Sequence, residues 1–359
     1  INIIRKYREI SMSVLSVAST SLTSNSKARL ASVLLILSLG AVACTKQNSE
    51  KASQSDDTNV SNVAADKLQT KFATLATGGA SGPYNIIGTA LTETYNATYG
   101  VNSKTQTTGA SVENMNLINQ GKVEMAFAMS DVVNDAVKGQ NNFSAPMTKV
   151  QQIAALYPNY VQIVTSKKSG IENFEDLKGK RIAVGAQNSG VEVNARNLLK
   201  GFGISYDDVK VDYLGYAEAA DALKSGKLDA AFLTSGLPNS SLMELEQGFD
   251  LQLVSIDPAK VAEIAKNETY FTAKEIPAGT YGNETAIPTA AIMNAFVVSS
   301  DLSEDDVYKL TKTFFDSLDK LKTAHQAAAG ISIETAQEGL VAPMHPGAKK
   351  YYDEQKSAK

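Results

Sequence analysis

The chain predicts an α/β protein of two matched lobes that face a shared crevice, and three observations carry the prediction. Phe72-Ala-Thr-Leu-Ala76 reads as a short buried strand, residues 77–82 as an open small-residue loop, and Pro83 as a first-turn proline pre-set for a helix. The same order of strand, loop and helix returns over residues 182–199. Finally, Leu117-Ile-Asn-Gln-Gly-Lys-Val-Glu-Met-Ala-Phe-Ala-Met-Ser-Asp131 is echoed by Ala222-Leu-Lys-Ser-Gly-Lys-Leu-Asp-Ala-Ala-Phe-Leu-Thr-Ser-Gly236. In both, a helix ends at Gly, Lys follows, and a strand carries a phenylalanine toward a polar tip. Chance likeness between two ordinary α/β units is the competing explanation. At 359 residues, 43% apolar and 20% charged, the chain is long enough for two globular lobes.

Charge and composition remove several classes. A net charge of −4 without a long Lys/Arg run offers no surface for a phosphate backbone, so nucleic acid is not an expected partner. One cysteine precludes an internal disulfide, and two unclustered histidines, His325 and His345, leave little material for a transition-metal site. No metal and no cofactor are expected.

Lys27-Ala-Arg29, the apolar Leu30-Ala-Ser-Val-Leu-Leu-Ile-Leu-Ser-Leu39 and the small Gly40-Ala-Val-Ala-Cys44 have the basic, apolar and cleavage regions of an export signal, read here as residues 1–44. Residues before Met12 read as translated upstream sequence. The apolar run is short for a membrane span. Ala41-Val-Ala-Cys44 resembles the lipobox of bacterial lipoproteins, which makes Cys44 the candidate lipidation site. Cleavage as an ordinary signal near the same alanines is the alternative. Residues 45–66 turn to Ser, Asn, Gln, Asp and Lys and offer too little apolar surface to offset the entropy of ordering, so a disordered tether is expected there.

Within the body, Ile86, Ile87, Leu91 and Tyr95 form an apolar stripe at helical spacing. Residues 101–107 alternate as a strand, 111–120 form a helix that ends at Gly121, and Met125-Ala-Phe-Ala-Met129 is a strand delivering Ser130 and Asp131 to its end. Two apolar runs, 152–157 and 160–165, separated by Pro158-Asn159, read as strands that carry the chain between lobes. A short helix, a Gly stop and a buried strand follow over 171–185, then a helix with Val191, Val193, Ala195 and Leu198 inward. Helices are expected at 238–247 and 258–266, a strand at 251–256, a polar loop at 279–285, and an apolar strand at 290–299 that returns the chain to the first lobe. A long helix over 303–321, with Val307, Leu310, Phe314 and Leu318 on one face, opens with a capping-box pattern from Ser303 to Asp306. His345-Pro-Gly347 turns the chain into a last surface helix. The two crossings set lobe 1 as residues 67–157 with 286–359 and lobe 2 as residues 158–285, and they are the expected hinges.

The loop at 77–82 carries the first chemical suggestion. Gly78, Gly79 and Gly82 leave the free N–H groups of the following helix open to approach, with the Thr77 and Ser81 hydroxyls beside them, an arrangement suited to an anion. A glycine turn that only packs closely is the alternative. Gly78-Gly-Ala-Ser-Gly82 lacks both the Lys-Ser/Thr ending of a P-loop and the G-x-G-x-x-G spacing, which argues against ATP and NAD. Ser81 and Ser189 precede helices but lie outside G-x-S-x-G, and both histidines fall in the peripheral C-terminal part, so a serine hydrolase is a minor alternative. After the signal the only arginines are Arg181, at a strand start, and Arg196, mid-helix. Neither suits a bidentate carboxylate clamp, and Arg196 reads as a surface residue. Two helix N-termini turned to one crevice suit a small anion held by backbone N–H groups and hydroxyls, a binding site without a catalyst.

Thr77-Gly-Gly-Ala-Ser-Gly-Pro-Tyr84, Thr108-Gly-Ala-Ser111, Asp176-Leu-Lys-Gly-Lys-Arg-Ile-Ala-Val-Gly185, Gly236-Leu-Pro238 and His345-Pro-Gly-Ala348, behind a lipoprotein-type signal, together resemble the TAXI solute receptors of tripartite ATP-independent periplasmic (TRAP) transporters. The likeness covers residues 71–354. It implies a two-lobed periplasmic-binding-protein-like fold of type II, with a ligand cleft between lobes and hinge strands. It also implies capture of a small carboxylate, a C4–C5 dicarboxylate or an amino acid such as glutamate, for delivery to a TRAP membrane subunit. Carried over position by position, the resemblance implies contacts from Thr77, Gly78, Gly79, Ser81 and Tyr84, with Ser130 and Asp131 near them. Facing these it implies Asn188, Ser189 and Gly190, then Thr234, Gly236 and Pro238. Asp131 has two roles open to it, pairing with a ligand ammonium or capping the following helix. The implied setting is the bacterial periplasm, with a monomer held to the membrane by its lipid anchor; a sensory receptor for a small anion is the alternative.

Overall fold

The computed structural model describes residues 67–357; the signal sequence, Cys44 and the tether lie outside them. The chain begins with two strand-to-helix units and a third that shares their sheet. These are β1 (Phe72–Ala76), α1 (Pro83–Tyr99), β2 (Asn102–Gln106), α2 (Ser111–Asn119), β3 (Met125–Met129) and α3 (Ser130–Lys138). β1 lies between β2 and β3 and pairs parallel with both, so all three strands end at the same edge and all three helices start there.

β4 (Val150–Ser166) then runs to a second group built the same way: β5 (Arg181–Ala183), α4 (Gly190–Gly201), β6 (Lys210–Asp212), α5 (Tyr216–Lys224) and β7 (Ala230–Ser235). Here β5 pairs parallel with β6 and β7. α6 (Ser240–Glu246), β8 (Leu251–Val254), α7 (Pro258–Ile264) and β9 (Thr272–Ile276) complete that side, and β10 (Ile287–Ser299) returns. The tail is α8 (Glu304–Asp316), α9 (Leu318–Ala324) and α10 (Pro346–Ser357). The strand order is β2-β1-β3-β10-β4-β7-β5-β6, with β8 on β4 and β9 on β10.

Two antiparallel strands therefore join the groups. β10 pairs with β9 through Ile287 to Ala291 and with β3 through Asn294 to Val298, while β4 pairs with β7 through Tyr160 to Thr165. The sequence suggested two strands broken at Pro158; the structure has one, and the reason lies on its neighbour. Pro158 has no N–H for the ladder, and β10 shifts register between Met293 and Ala295 opposite it. The intervening Asn294 turns its side-chain amide into the gap, donating to the Tyr157 carbonyl at 2.7 Å and to Asn159 Oδ1 at 2.8 Å.

Apolar cores flank both groups. Ile87, Leu91 and Tyr95 of α1 pack with Phe127, Phe296 and Phe314, and Leu198 of α4 packs with Ile163, Ile182 and Phe232. The expected 303–321 helix is two helices, because Ser317 leaves helical geometry (φ −98°, ψ 2°) and its hydroxyl donates to the Thr313 carbonyl at 2.5 Å. Ser303 caps α8 by accepting from Asp306 N–H at 3.1 Å, but the Asp306 carboxylate does not reach back to complete the box. It accepts from the N–H groups of Gln69 and Thr70 at 2.7 and 2.9 Å, pinning the segment that leads into β1. α6 starts two residues later than expected, capped by Asn239 accepting from Ser241 N–H. The last helix lies on the surface with one face turned inward. Tyr351 and Tyr352 enter the core, and a Cβ at Gly347 would stand 2.2 Å from the Glu304 carbonyl oxygen of α8. Among the described residues no helix is long and apolar enough to cross a membrane.

The crossing yields a test. Replacing Asn294 by Ala leaves buried partners at Tyr157, Asn159 and Tyr84 unpaired, and should cost about 1–3 kcal/mol of unfolding free energy, read from urea denaturation.

Candidate functional site

Where the two groups of helix starts meet, there is a cleft with a cavity of about 420 Å³. Its wall has a single design repeated five times. The residues that precede the first turns of α1 to α5, namely Gly82, Ala110, Met129, Ser189 and Gly215, all line it. Each helix start leaves backbone N–H groups without helical partners, and each macrodipole turns its positive end the same way. Only Ser189 among these five caps with its side chain, accepting from Glu192 N–H at 3.1 Å.

Small residues let these starts approach. A Cβ at Gly82 would meet the Tyr216 ring at 3.2 Å, and one at Gly190 would stand 2.8 Å from Met129 Sδ and Ser111 Oγ. At Gly79 a Cβ would meet nothing within 4 Å. Ala110 holds φ at 79°, a strained value for a residue with a side chain, on the cavity wall.

Polar groups line the other side. Tyr84 donates to Asn294 Oδ1 at 2.5 Å, tying the cavity to the β4–β10 crossing, and Asn159 and Ser235 add side chains to the wall. Tyr216 donates to the Thr234 carbonyl at 2.7 Å. The Thr234 hydroxyl and the Tyr157 phenol are buried without a hydrogen-bond partner. Burial pushes the Tyr84, Tyr157 and Tyr216 phenols up, so they stay neutral. No Lys, Arg or His is among the lining residues, and Glu218 is the one ionisable acid there.

Hydrogen bonds cross from one group to the other at this gap. Ser240 Oγ donates to the Ser81 carbonyl at 2.6 Å, Glu113 N–H donates to the Asn188 carbonyl at 3.3 Å, and Asn194 Nδ2 donates to Asp131 Oδ2 at 2.8 Å. Asp131 is buried at this seam, with Oδ1 accepting from Val132 N–H at 2.7 Å. Burial raises its pKa to about 7, with the Asp135 and Glu268 charges acting in the same direction and the Val132 and Asn194 hydrogen bonds opposing.

Of the residues carried over by resemblance, Gly78, Gly79, Tyr84 and Ser189 line the cavity. Thr77 lies behind the wall, its hydroxyl donating to the Gln106 carbonyl and accepting from Asn85. Ser81 presents its carbonyl to Ser240, Asn188 sits at φ 61° on the outer rim, and Ser130 and Asp131 open α3 inside the seam. Gly190 gives clearance to Met129, Thr234 backs Tyr216, and Gly236 faces Ala327 and the Tyr157 ring. The Pro238 carbonyl meets His325. Sequence reasoning quoted Thr108-Gly-Ala-Ser111 as a motif but drew no contact from Thr108 or Ala110, and it passed over Asn159 and the Gly215-Tyr216-Ala-Glu218 start. A small-residue step between strand and helix marks the first and third of these, as it does the opening loop.

Neither arginine enters the cleft: Arg181 pairs with Asp229 through Nη2 at 2.6 Å and Arg196 with Glu192 at 3.1 Å. Both histidines are engaged with backbone, His325 accepting from Ala327 N–H and His345 from Gly347 N–H. No group of acids, cysteines or histidines fit to hold a metal occurs among the described residues.

Two parallel α/β groups joined by paired crossing strands, with helix starts converging on the gap, define the two-lobed periplasmic binding fold. A solved structure described as a periplasmic transporter shares it, at a TM-score of 0.51 and 15% identity over 81% of this chain and 96% of that one. The chain is also similar to the periplasmic aliphatic sulphonate binding protein SsuA from Escherichia coli (TM-score 0.43, 14% identity, 79% of this chain and 83% of that one). A putative L-cystine ABC transporter protein from Listeria monocytogenes is a further match (TM-score 0.45, 14% identity, 75% and 99%). Residues 75–355 match the NMT1-like family, and the chain belongs to it.

The seam predicts a pH dependence. A carboxylate whose pKa rises from 3.8 to about 7 on folding holds its proton in the native state when the unfolded chain has lost it. Stability should therefore fall as pH rises from about 4 to about 7, by at most about 1.4 kcal/mol per pH unit from this group, and level off above. Asp131→Asn should remove that component from urea midpoints collected across the window.

Proposed function

We propose that the protein is a solute receptor without catalytic activity that closes its two lobes on a small carboxylate. The observation that carries this reading is the convergence of five helix N-termini on one cavity with no basic side chain among its lining residues. Backbone N–H groups and neutral hydroxyls there supply the donors that a carboxylate needs. The cavity suits a metabolite-sized ligand, and the resemblance to TAXI receptors points to a C4–C5 dicarboxylate or an amino acid such as glutamate.

The lobes are residues 67–157 with 286–359 and residues 158–285, hinged where β4 and β10 cross between them. The receptor works as a monomer in the periplasm, held near the membrane by a lipid on Cys44 and the 45–66 tether. It hands its solute to a TRAP membrane subunit. Contacts to the solute come from the α1 start, with Gly78, Gly79 and Tyr84, and from Ser189 across the cleft. Ser189 is occupied as a helix cap, and the histidines are held by backbone groups elsewhere, which favours binding over a serine-dependent hydrolase.

Titration calorimetry with C4–C5 dicarboxylates and acidic amino acids should give saturable binding, and a ligand at 100 times its Kd should raise the unfolding free energy by about 2.7 kcal/mol. Heat traces without saturation across the panel would remove the carboxylate reading. Gly79→Val, whose side chain enters open space, should weaken binding by on the order of tenfold or more, with unliganded stability within about 0.5 kcal/mol of the parent.

A further inference from the structure

The charge that the cleft accepts follows from its helix starts. Four of the five helices carry an acid in the first turn: Glu113 on α2, Asp131 on α3, Glu192 on α4 and Glu218 on α5. α1, the longest helix of the five at 17 residues, carries none. A first-turn carboxylate answers the positive end of its own macrodipole, so only the α1 start is left for a ligand to neutralise.

Three of the four acids are already engaged. Glu113 Oε2 accepts from Gly109 N–H at 2.6 Å, Asp131 is bonded to Asn194 and Val132, and Glu192 pairs with Arg196 and accepts from Tyr206. Glu218 differs because it lines the cavity itself. Its Oε2 folds back over its helix start, 2.6 Å from where a Cβ on Gly215 would stand. With no basic side chain among the lining residues, a second ligand carboxylate on the α5 side would meet Glu218 without a compensating cation.

We infer that the cleft takes a solute with at most one net negative charge, its carboxylate at the α1 start, and that Glu218 is the residue that discriminates against a dianion. A hydroxyl, amide or ammonium is the favoured group on the α5 side. This selection rests on the carboxylate reading of the same cleft and narrows it.

Titration calorimetry of the full chain at pH 7.5 should compare three probes of one carbon length: glutarate with two negative charges, glutamate with one net, and glutamine with none. Glutamate or glutamine should bind more tightly than glutarate by on the order of tenfold, and Glu218→Gln should narrow that ratio several-fold by improving glutarate. Glutarate binding as tightly as glutamate to the parent protein, or an unchanged ratio in the variant, overturns this inference while the carboxylate reading stands. If none of the three binds, this inference is overturned, and the carboxylate reading falls with it only when the C4 dicarboxylates and aspartate fail as well.

Discussion

The pairing of β4 with β10 is the interaction on which the rest of the structure depends. Each strand belongs to both halves of the sheet, so the two α/β groups have no separate existence without it. Its weak point is Pro158, where a ladder donor is missing, and Asn294 repairs it with a side-chain amide. The same Asn294 accepts from Tyr84 on the cavity wall. One buried amide therefore serves the crossing and the cleft together, and a shift in either is felt by the other through hydrogen bonds that burial makes costly to break.

The convergence of five helix starts is a consequence of strand direction. Strands within each group run parallel, so each group releases its helices at a single edge, and the crossing strands turn the two edges toward one another. Peptide dipoles then concentrate at the gap without any long cationic side chain to desolvate or to order. A preorganised field of this kind is fixed by backbone geometry, which lets small residues such as Gly79, Gly82 and Gly190 contribute more to the site than charged ones do.

Much of this was legible in the sequence because it is local. β1 and β3 fall on the residues expected, since each is a short apolar run ended by small or polar residues, and Pro83 opens α1 where a first-turn proline belongs. The features that were not legible depend on distant partners. Pro158 signals a break, and only Asn294, far along the chain, turns it into a continuous strand. β9 shows no apolar alternation because four of its five residues are exposed, and β10 is its one strand partner. Asn159 reaches the cavity through tertiary arrangement, and no local spacing marks it. Asp131 stands at the strand tip where the sequence put it, yet α3 begins one residue earlier, and that turn of the chain directs its carboxylate to Asn194 at the seam.

The groups around the cavity bear on the proposed choice of capture over turnover. Proton transfer at a substrate needs a group that titrates near neutrality and points at the reacting atom. The phenols of Tyr84 and Tyr216 are held neutral by burial, and Ser189 spends its oxygen on the start of α4. Burial raises the Asp131 pKa to about 7, but its two oxygens are taken by the Val132 N–H and by Asn194 of the facing group. Its proton is thus coupled to how the halves meet. In the proposed closure, sealing the seam would remove a carboxylate from water, an unfavourable step that falls away when the group is protonated, so ligand contacts made only in a closed form would oppose a cost that grows with pH. For the proposed receptor, binding free energy would go into holding two halves together around a solute.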